Sequence, residues 1–394
     1  MPNVDRPEAD APPEAWLVYA DALQASDDPW GELVVLNHAV AQGADPAERN
    51  AYLVRHVEAI LGPLAAKAAH VEIEWHYALP RAVDLRIGPK EDGAALVKAL
   101  LASPLAPDLE RLRLVGVTPS TSDRVDLSAA VAALADLPAR CTAVELVDER
   151  ATKSRMLVSA DYDAGDNLVS FGPLEPLWRV PHLEHLRIDV ADPQQLQLGT
   201  IDAPALRSFA LYGLAWGYVP SGVGRALAAA RWPQLQSLSL RLPETFTYSW
   251  PLQFGAYAPL DRYAEPSEYD EYGDDDGWNE DVNWGEELGP IFAALKDGKL
   301  ERLSLTGFAS ARQLLQALVD AIPASVTDLD LSGSNVDSGD LEFIAQHAPT
   351  FSRLKTIDLT NTLAQDASAL SALGPEIRHK QGRGSIYEFA VGME

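Results

Sequence analysis

The 394-residue chain has one cysteine, three methionines, and only 31 lysines and arginines against 58 aspartates and glutamates. With Cys141 alone, an internal disulfide is impossible, and so is a paired-cysteine metal or redox motif. The shortage of cations leaves a net charge of −27 at pH 7. Such a surface repels phosphate backbones, which disfavours nucleic-acid binding. No run of 18 apolar residues occurs, so no membrane-spanning helix is expected. The first residues mix charge with proline and lack the apolar stretch of a signal peptide. We therefore read a cytoplasmic protein with a flexible leader over residues 1–13. Also missing are GxSxG, GxxxxGK[ST], HExxH and a strand-linked GxGxxG. Their absence removes the direct routes to an enzyme, and neither a cofactor nor a catalytic residue is expected.

What is present is the composition of a globular protein, 47 % hydrophobic and 23 % charged. Its length suits one elongated domain or two to three compact ones. The dominant signal is repetition: an apolar residue, two variable ones, an apolar, one variable, an apolar. Clear copies are Leu109-Glu-Arg-Leu112-Arg-Leu114, Leu183 to Ile188, Leu206 to Leu211, Leu235 to Leu240, Leu300 to Leu305, Val326 to Leu331 and Leu354 to Leu359. Weaker ones start at Ala82 and Cys141. The starts are separated by 27, 32, 42, 23, 29, 65, 26 and 28 residues, most of them near 28. Between them lie segments with apolar residues at helical spacing, such as 93–102, 127–137, 221–231, 310–322 and 338–348. A strand followed by a helix, repeated, predicts stacked units, because no single unit can bury its apolar face alone.

On these residues the chain resembles the leucine-rich-repeat family, and its helix-bearing units resemble the ribonuclease-inhibitor-like class. The best match is Leu329-Asp-Leu331-Ser-Gly-Ser-Asn335-Val336 with the helix that follows. The family's usual asparagine position holds Ser334 or Thr362, with Asn335 and Asn361 one residue away, so irregular loops are expected. The resemblance implies an α/β solenoid over residues 69–375, with parallel strands on a concave face and helices on a convex one. Residues 376–394 are expected to close it, with a strand at Ser385 to Val391. A hairpin is expected at Met156 to Ser170. Residues 14–68 read as helices; Leu17-Val-Tyr-Ala-Asp21 with Asp28-Pro-Trp-Gly-Glu-Leu33 resembles the repeat-companion domain of bacterial leucine-rich-repeat proteins. That likeness implies a cap and brings no activity with it.

Such arrays bind with the concave sheet, which makes the side chains between the repeat leucines the candidate site. The early ones, Arg86, Arg111, Arg113, His185 and Arg187, form a cationic group suited to an acidic patch of a protein partner. Alternatively they pair with neighbouring carboxylates as a solvated face. Tyr212, Arg241 and Arg302 follow, and Asp328, Asp330 and Asp358 make the late part anionic.

The 65-residue interval holds a second candidate. Residues 244–287 contain 13 acidic residues and one basic, and ten of the 30 aromatics. Acidic linkers are usually poor in aromatics. Tyr248, Trp250, Tyr269, Tyr272, Asp274, Asp275, Asp276, Trp278 and Trp284 are therefore candidates for holding a protein with a basic patch. The alternative is that the aromatics only pack the insertion against the repeats. Asp274-Asp-Asp-Gly277 lacks the EF-hand spacing, since Tyr272 and Asn283 stand where acids are needed. His70, Glu72, Glu74 and His76 alternate on one strand, where the outer two lie about 20 Å apart and cannot share a metal. No metal site is expected. The function expected is non-catalytic protein recognition, with inhibition of an intracellular enzyme as one form. An acidic decoy imitating nucleic acid, and a hydrolase with the insertion as its lid, are the alternatives. The oligomeric state is not legible.

Overall fold

The computed structural model describes residues 6–8, 10–77, 79–120, 123–149, 168–191, 195–213, 222–241, 284–308, 311–364 and 366–380. The hairpin expected over 156–170 lies outside them except for its last residues, and so do the strand expected at 385–391 and residues 244–283 of the insertion. The chain divides into two compact units, one chiefly Met1–Glu149 and the other chiefly Arg207–Glu394.

The first unit opens with helices α1 (Pro13–Gln24), α2 (Pro29–Ala41), α3 (Ala47–Arg55) and α4 (Val57–Leu61), then a 3-10 stretch Gly62–His70. Helix α2 starts where the sequence signals it: Asp28 accepts a hydrogen bond from the Trp30 N–H, and Pro29 fills the first turn. The sheet begins with β1 (Val71–His76) and β2 (Leu79–Ile87), paired antiparallel. Parallel strands β3 (Arg111–Gly116), β5 (Ala143–Asp148) and β7 (His185–Val190) continue it. A separate short pair, β4 (Val125–Asp126) and β6 (Val169–Ser170), is also parallel. The described end of the 156–170 region belongs to this parallel pair. Helices α5 (Gly93–Leu101) and α6 (Ser128–Ala133) return the chain between strands. The repeat pattern produces this arrangement directly: Leu109, Leu112 and Leu114 are fully buried, while Arg111 and Arg113 between them face outward.

The cap is fastened to the first hairpin. Trp16, fully buried, stacks on Tyr77 with ring centroids 5.3 Å apart, and Trp30 meets Trp75 edge-on at 6.1 Å. Tyr77 occupies the turn between β1 and β2 with φ of 53°, and its carbonyl accepts a hydrogen bond from the Asn37 amide. The expected leader is tied back as well, since Arg6 forms an ion pair with Asp108 at 2.6 Å.

The second unit stacks β8 (Ser208–Gly213), β9 (Ser237–Arg241), β10 (Arg302–Thr306), β11 (Asp328–Asp330), β12 (Thr356–Asp358) and β13 (Glu376–Arg378), all parallel. Between them lie helices α8 (Gly222–Ala228), α9 (Trp284–Leu295), α10 (Ala311–Ala321) and α11 (Ser338–Gln346), following the short α7 (Glu175–Trp178) of the first unit. Asp337 and Asp340 cap α11 reciprocally. The fold is mixed α/β with a largely parallel sheet, as the resemblance to leucine-rich-repeat proteins implies.

The loops after β10, β11 and β12 share one backbone turn. Gly307, Gly333 and Asn361 each stand two residues past a buried leucine, with φ of 79°, 68° and 60°. This is the left-handed region that glycine and asparagine tolerate. Ser334 is buried, donates to the Leu305 carbonyl at 3.3 Å and accepts from the Phe308 N–H at 3.2 Å. A serine therefore links the backbones of adjacent repeats there, and Asn361 stands at the turn place equivalent to Gly333, one residue before the family's asparagine position.

Candidate binding face

The side chains between the buried leucines make one face of each sheet. In the first unit the register sets Glu72 beside Asp84, Asp84 beside Arg113, and Arg113 beside Glu145. Arg113 reaches Asp84 at 3.1 Å and Glu145 at 3.6 Å. Arg111 reaches Glu145 at 3.9 Å and extends over buried Ala82 to Glu74 at 2.7 Å. Arg86 pairs with Glu149 and, at 3.8 Å, with Glu72. The Glu149 hydrogen bond holds the Arg86 guanidinium more basic than usual, against the opposing effect of burial. Arg81 pairs with Glu74 and Glu110.

Four arginines thus meet six carboxylates, Glu72, Glu74, Asp84, Glu110, Glu145 and Glu149, for a local balance of 4 − 6 = −2. This corrects the expectation of a cationic surface: Arg86, Arg111 and Arg113 are held by carboxylates of their own sheet. The sequence concealed it because the partners lie up to two strands away. His185 and Arg187 are exposed on β7.

The second unit differs. Its register rows run Ser208, Ser237, Arg302, Asp328, Thr356, Glu376 and Ala210, Ser239, Ser304, Asp330, Asp358, Arg378. A third row sets Tyr212 beside Arg241 and Arg241 beside Thr306, and the Tyr212 hydroxyl lies 3.1 Å from Ser239 Oγ. The first two rows are therefore of small side chains, mostly serines, on β8 and β9 and become charged from β10 to β13. Asp328 accepts hydrogen bonds from the Thr356 hydroxyl at 2.5 Å and the Thr327 hydroxyl at 2.7 Å. These two bonds, Thr356 first, hold its carboxyl below the usual range. Asp330 accepts from the Ser304 hydroxyl at 2.8 Å and the Ser332 N–H at 2.9 Å, and Asp358 from the Thr360 N–H at 2.8 Å. Asp330 and Asp358 are direct neighbours across the strands. Among the described residues, none of these three aspartates makes an ion pair. The neighbouring Arg378 is bound to Glu376 at 3.0 Å.

Of the insertion candidates only Trp284 is described, and it corrects the expectation. It is fully buried at the start of α9, 4.6 Å edge-on from Phe308, so it belongs to the core and presents no surface to a partner. Tyr248, Trp250, Tyr269, Tyr272, Asp274, Asp275, Asp276 and Trp278 lie outside the described residues. Cys141 is buried, and its thiol is pushed up to about 12 by desolvation. Among the described residues no group of three His, Cys, Asp or Glu is placed to hold a metal, and no helix is long and apolar enough to cross a membrane.

No family model matches the sequence, and no curated protein is similar to it at a significant level. Among solved structures, a Bacteroides fragilis protein is similar over 73 % of this chain and 70 % of its own, with 15 % identity and a TM-score of 0.47. Internalin C2 of Listeria monocytogenes is similar over 73 % and 84 %, with 12 % identity and a TM-score of 0.31. The leucine-rich repeat-containing protein LegL7 of Legionella pneumophila is similar over 71 % and 63 %, with 14 % identity and a TM-score of 0.34.

Proposed function

We propose that this chain is a protein-recognition scaffold whose second unit receives a basic segment of a partner protein on the sheet face bearing Asp328, Asp330 and Asp358. The observation that carries this reading is the juxtaposition of Asp330 and Asp358. Like charges directly opposite each other on neighbouring strands are unfavourable, and here no arginine stands between them, as one does between Asp84 and Glu145 in the first unit. An arginine or lysine supplied from outside would relieve that repulsion. Ser237, Ser239 and Ser304, small residues of the adjoining strands, leave room for an extended segment and offer it hydroxyl groups. The acidic aromatic residues 244–283 are assigned to the same partner as a second contact, since aromatic anchors dominate interface energetics.

Titration of the full chain with a synthetic peptide of alternating arginine and serine, followed by calorimetry at low and high salt, tests the face. Binding that weakens at high salt and falls about tenfold in the double variant D330N/D358N is expected. Binding unchanged by the variant, or no binding of the peptide at all, refutes it. The single variant D330N is also expected to melt above the parent when no peptide is present, by up to about 1 kcal/mol of stability, because it removes the like-charge neighbour.

A further inference from the structure

We propose that the open edge of β13 is a docking site for residues 385–391 of the same chain, which pair with it as an antiparallel strand and complete the sheet. This goes beyond the protein-recognition reading and does not depend on it.

Strand β13 is bonded on one side. The Glu376 N–H donates to the Lys355 carbonyl at 2.8 Å, and the Arg378 and Lys380 carbonyls accept from the Leu359 and Asn361 N–H groups at 2.7 Å and 3.0 Å. Alternate residues of a strand turn their backbone groups to opposite sides, so the N–H and C=O of Ile377 and His379 face away from β12. Among the described residues these groups have no backbone partner. Such an edge is a template for another strand, and folded proteins cover it.

The core is open at the same place. Leu238, Leu303, Leu329 and Ile357 follow one another across the strands and are all buried, whereas Ile377, next in that row, is only half-buried. Leu363 is 48 % exposed, beside the Ala364 carbonyl that accepts from the His379 ring at 2.8 Å. A stack of repeats leaves its last apolar row uncovered unless an atypical terminal element lies over it.

The sequence beyond Lys380 supplies that element in one register. Gly382-Arg-Gly384 suits a three-residue hairpin loop, whose last position takes the left-handed conformation that glycine allows. Gln381 then pairs with Ser385, His379 with Tyr387, and Ile377 with Phe389. The open backbone groups of Ile377 and His379 gain partners, and the two aromatic rings cover the uncovered apolar row. Glu388 falls on the other face, among Glu376, Arg378 and Lys380. A slip by one residue would turn Tyr387 and Phe389 to that charged face and set Glu388 against Ile377. A second copy of the chain would meet the same edge, but a short loop holds residues 385–391 at a far higher local concentration than another molecule reaches.

The test introduces cysteine pairs into the full chain, where the native Cys141 is buried and does not compete. R378C/E388C sets two cysteines at a non-hydrogen-bonded pair, where Cα atoms lie about 4.5 Å apart and a disulfide fits. Oxidation at micromolar protein is expected to link them within one chain, at least about tenfold faster than in the control R378C/G392C, which the register holds apart. In F389D, the Ile377 and His379 amides are expected to exchange hydrogen at least about tenfold faster than in the parent. Equal linkage in the two cysteine pairs, or unchanged exchange in F389D, overturns the proposal. So do links between chains in place of links within one, which would make a second copy the occupant.

Discussion

Arg111 reaches across the whole of strand β2 to bond Glu74, passing over the buried methyl of Ala82. The small residue beneath is what lets a guanidinium lie flat on the sheet and bridge strands that do not touch. The same arginine approaches Glu145 on the opposite side. The first unit's face is therefore an ion-pair network in which Arg81, Arg86, Arg111 and Arg113 are each already paired, with carboxylates in excess.

Reversing two of these charges, R111E with R113E, places like charges beside Glu74, Asp84 and Glu145. A loss of about 1–2 kcal/mol is expected in urea unfolding, reduced at high salt. Peptide affinity on the second unit should not change. A variant that kept full stability would show that the network contributes nothing. The neutral single variant R111A should cost less than about 1 kcal/mol, as exposed pairs do.

The Asp328 carboxyl, held below the usual range by the Thr356 and Thr327 hydroxyls, makes stability depend on acid. A carboxyl whose folded pKa is depressed stabilises the fold above its unfolded value, near 3.9, and that contribution is lost as pH falls through the folded value. T356V removes the Thr356 hydroxyl donor. It should cost about 1 kcal/mol at neutral pH and progressively less as Asp328 is protonated. Carboxyl NMR titration should show the Asp328 midpoint rising toward the ordinary value. An unmoved midpoint would assign the depression elsewhere.

Cys141 gives the opposite sign at alkaline pH. Its thiol, pushed up to about 12 by burial, stays protonated after an unfolded thiol, near 8.5, has ionised. The contribution is therefore complete below the unfolded value and declines as pH rises above it. Native protein should react with a maleimide far more slowly than the same protein in urea; equal rates would mean that the site opens readily.

Asn361, with φ of 60°, should accept glycine within about 0.5 kcal/mol, or with a small gain. Valine there should cost about 1–3 kcal/mol, because a β-branched residue does not enter the left-handed region cheaply. Thermal melts of the two variants separate these outcomes, and equal melting temperatures would contradict the backbone assignment.

The strands were legible because the spacing of Leu109, Leu112 and Leu114 or of Leu300, Leu303 and Leu305 encodes burial directly. Helices were legible from caps such as Asp92 before Gly93–Leu101, whose carboxylate accepts from the Ala95 N–H. Three things were hidden, each for a physical reason. The partners of Arg111 and Arg86 lie 37 and 63 residues away in the chain, so no local pattern reveals them. The strand β1 was legible from its alternation, but its antiparallel direction was not, because alternation is the same in both directions. Trp284 stood at the end of an acidic stretch, yet the apolar spacing that follows, Leu288, Ile291 and Leu295, places it in a buried helix.

The hairpin clasped by Trp16 also bears on how the chain comes to be folded. His76 and Leu79 pair only 79 − 76 = 3 positions apart, whereas the neighbouring parallel strands with described registers pair across at least 376 − 356 = 20. Closing a short loop costs far less chain entropy than closing a long one. Of the described pairings, β1 with β2 therefore has the lowest closure cost, and early formation of that hairpin is the expectation that φ-values at Val71 and Val83 would test. The hairpin is also the first part of the sheet that a ribosome delivers.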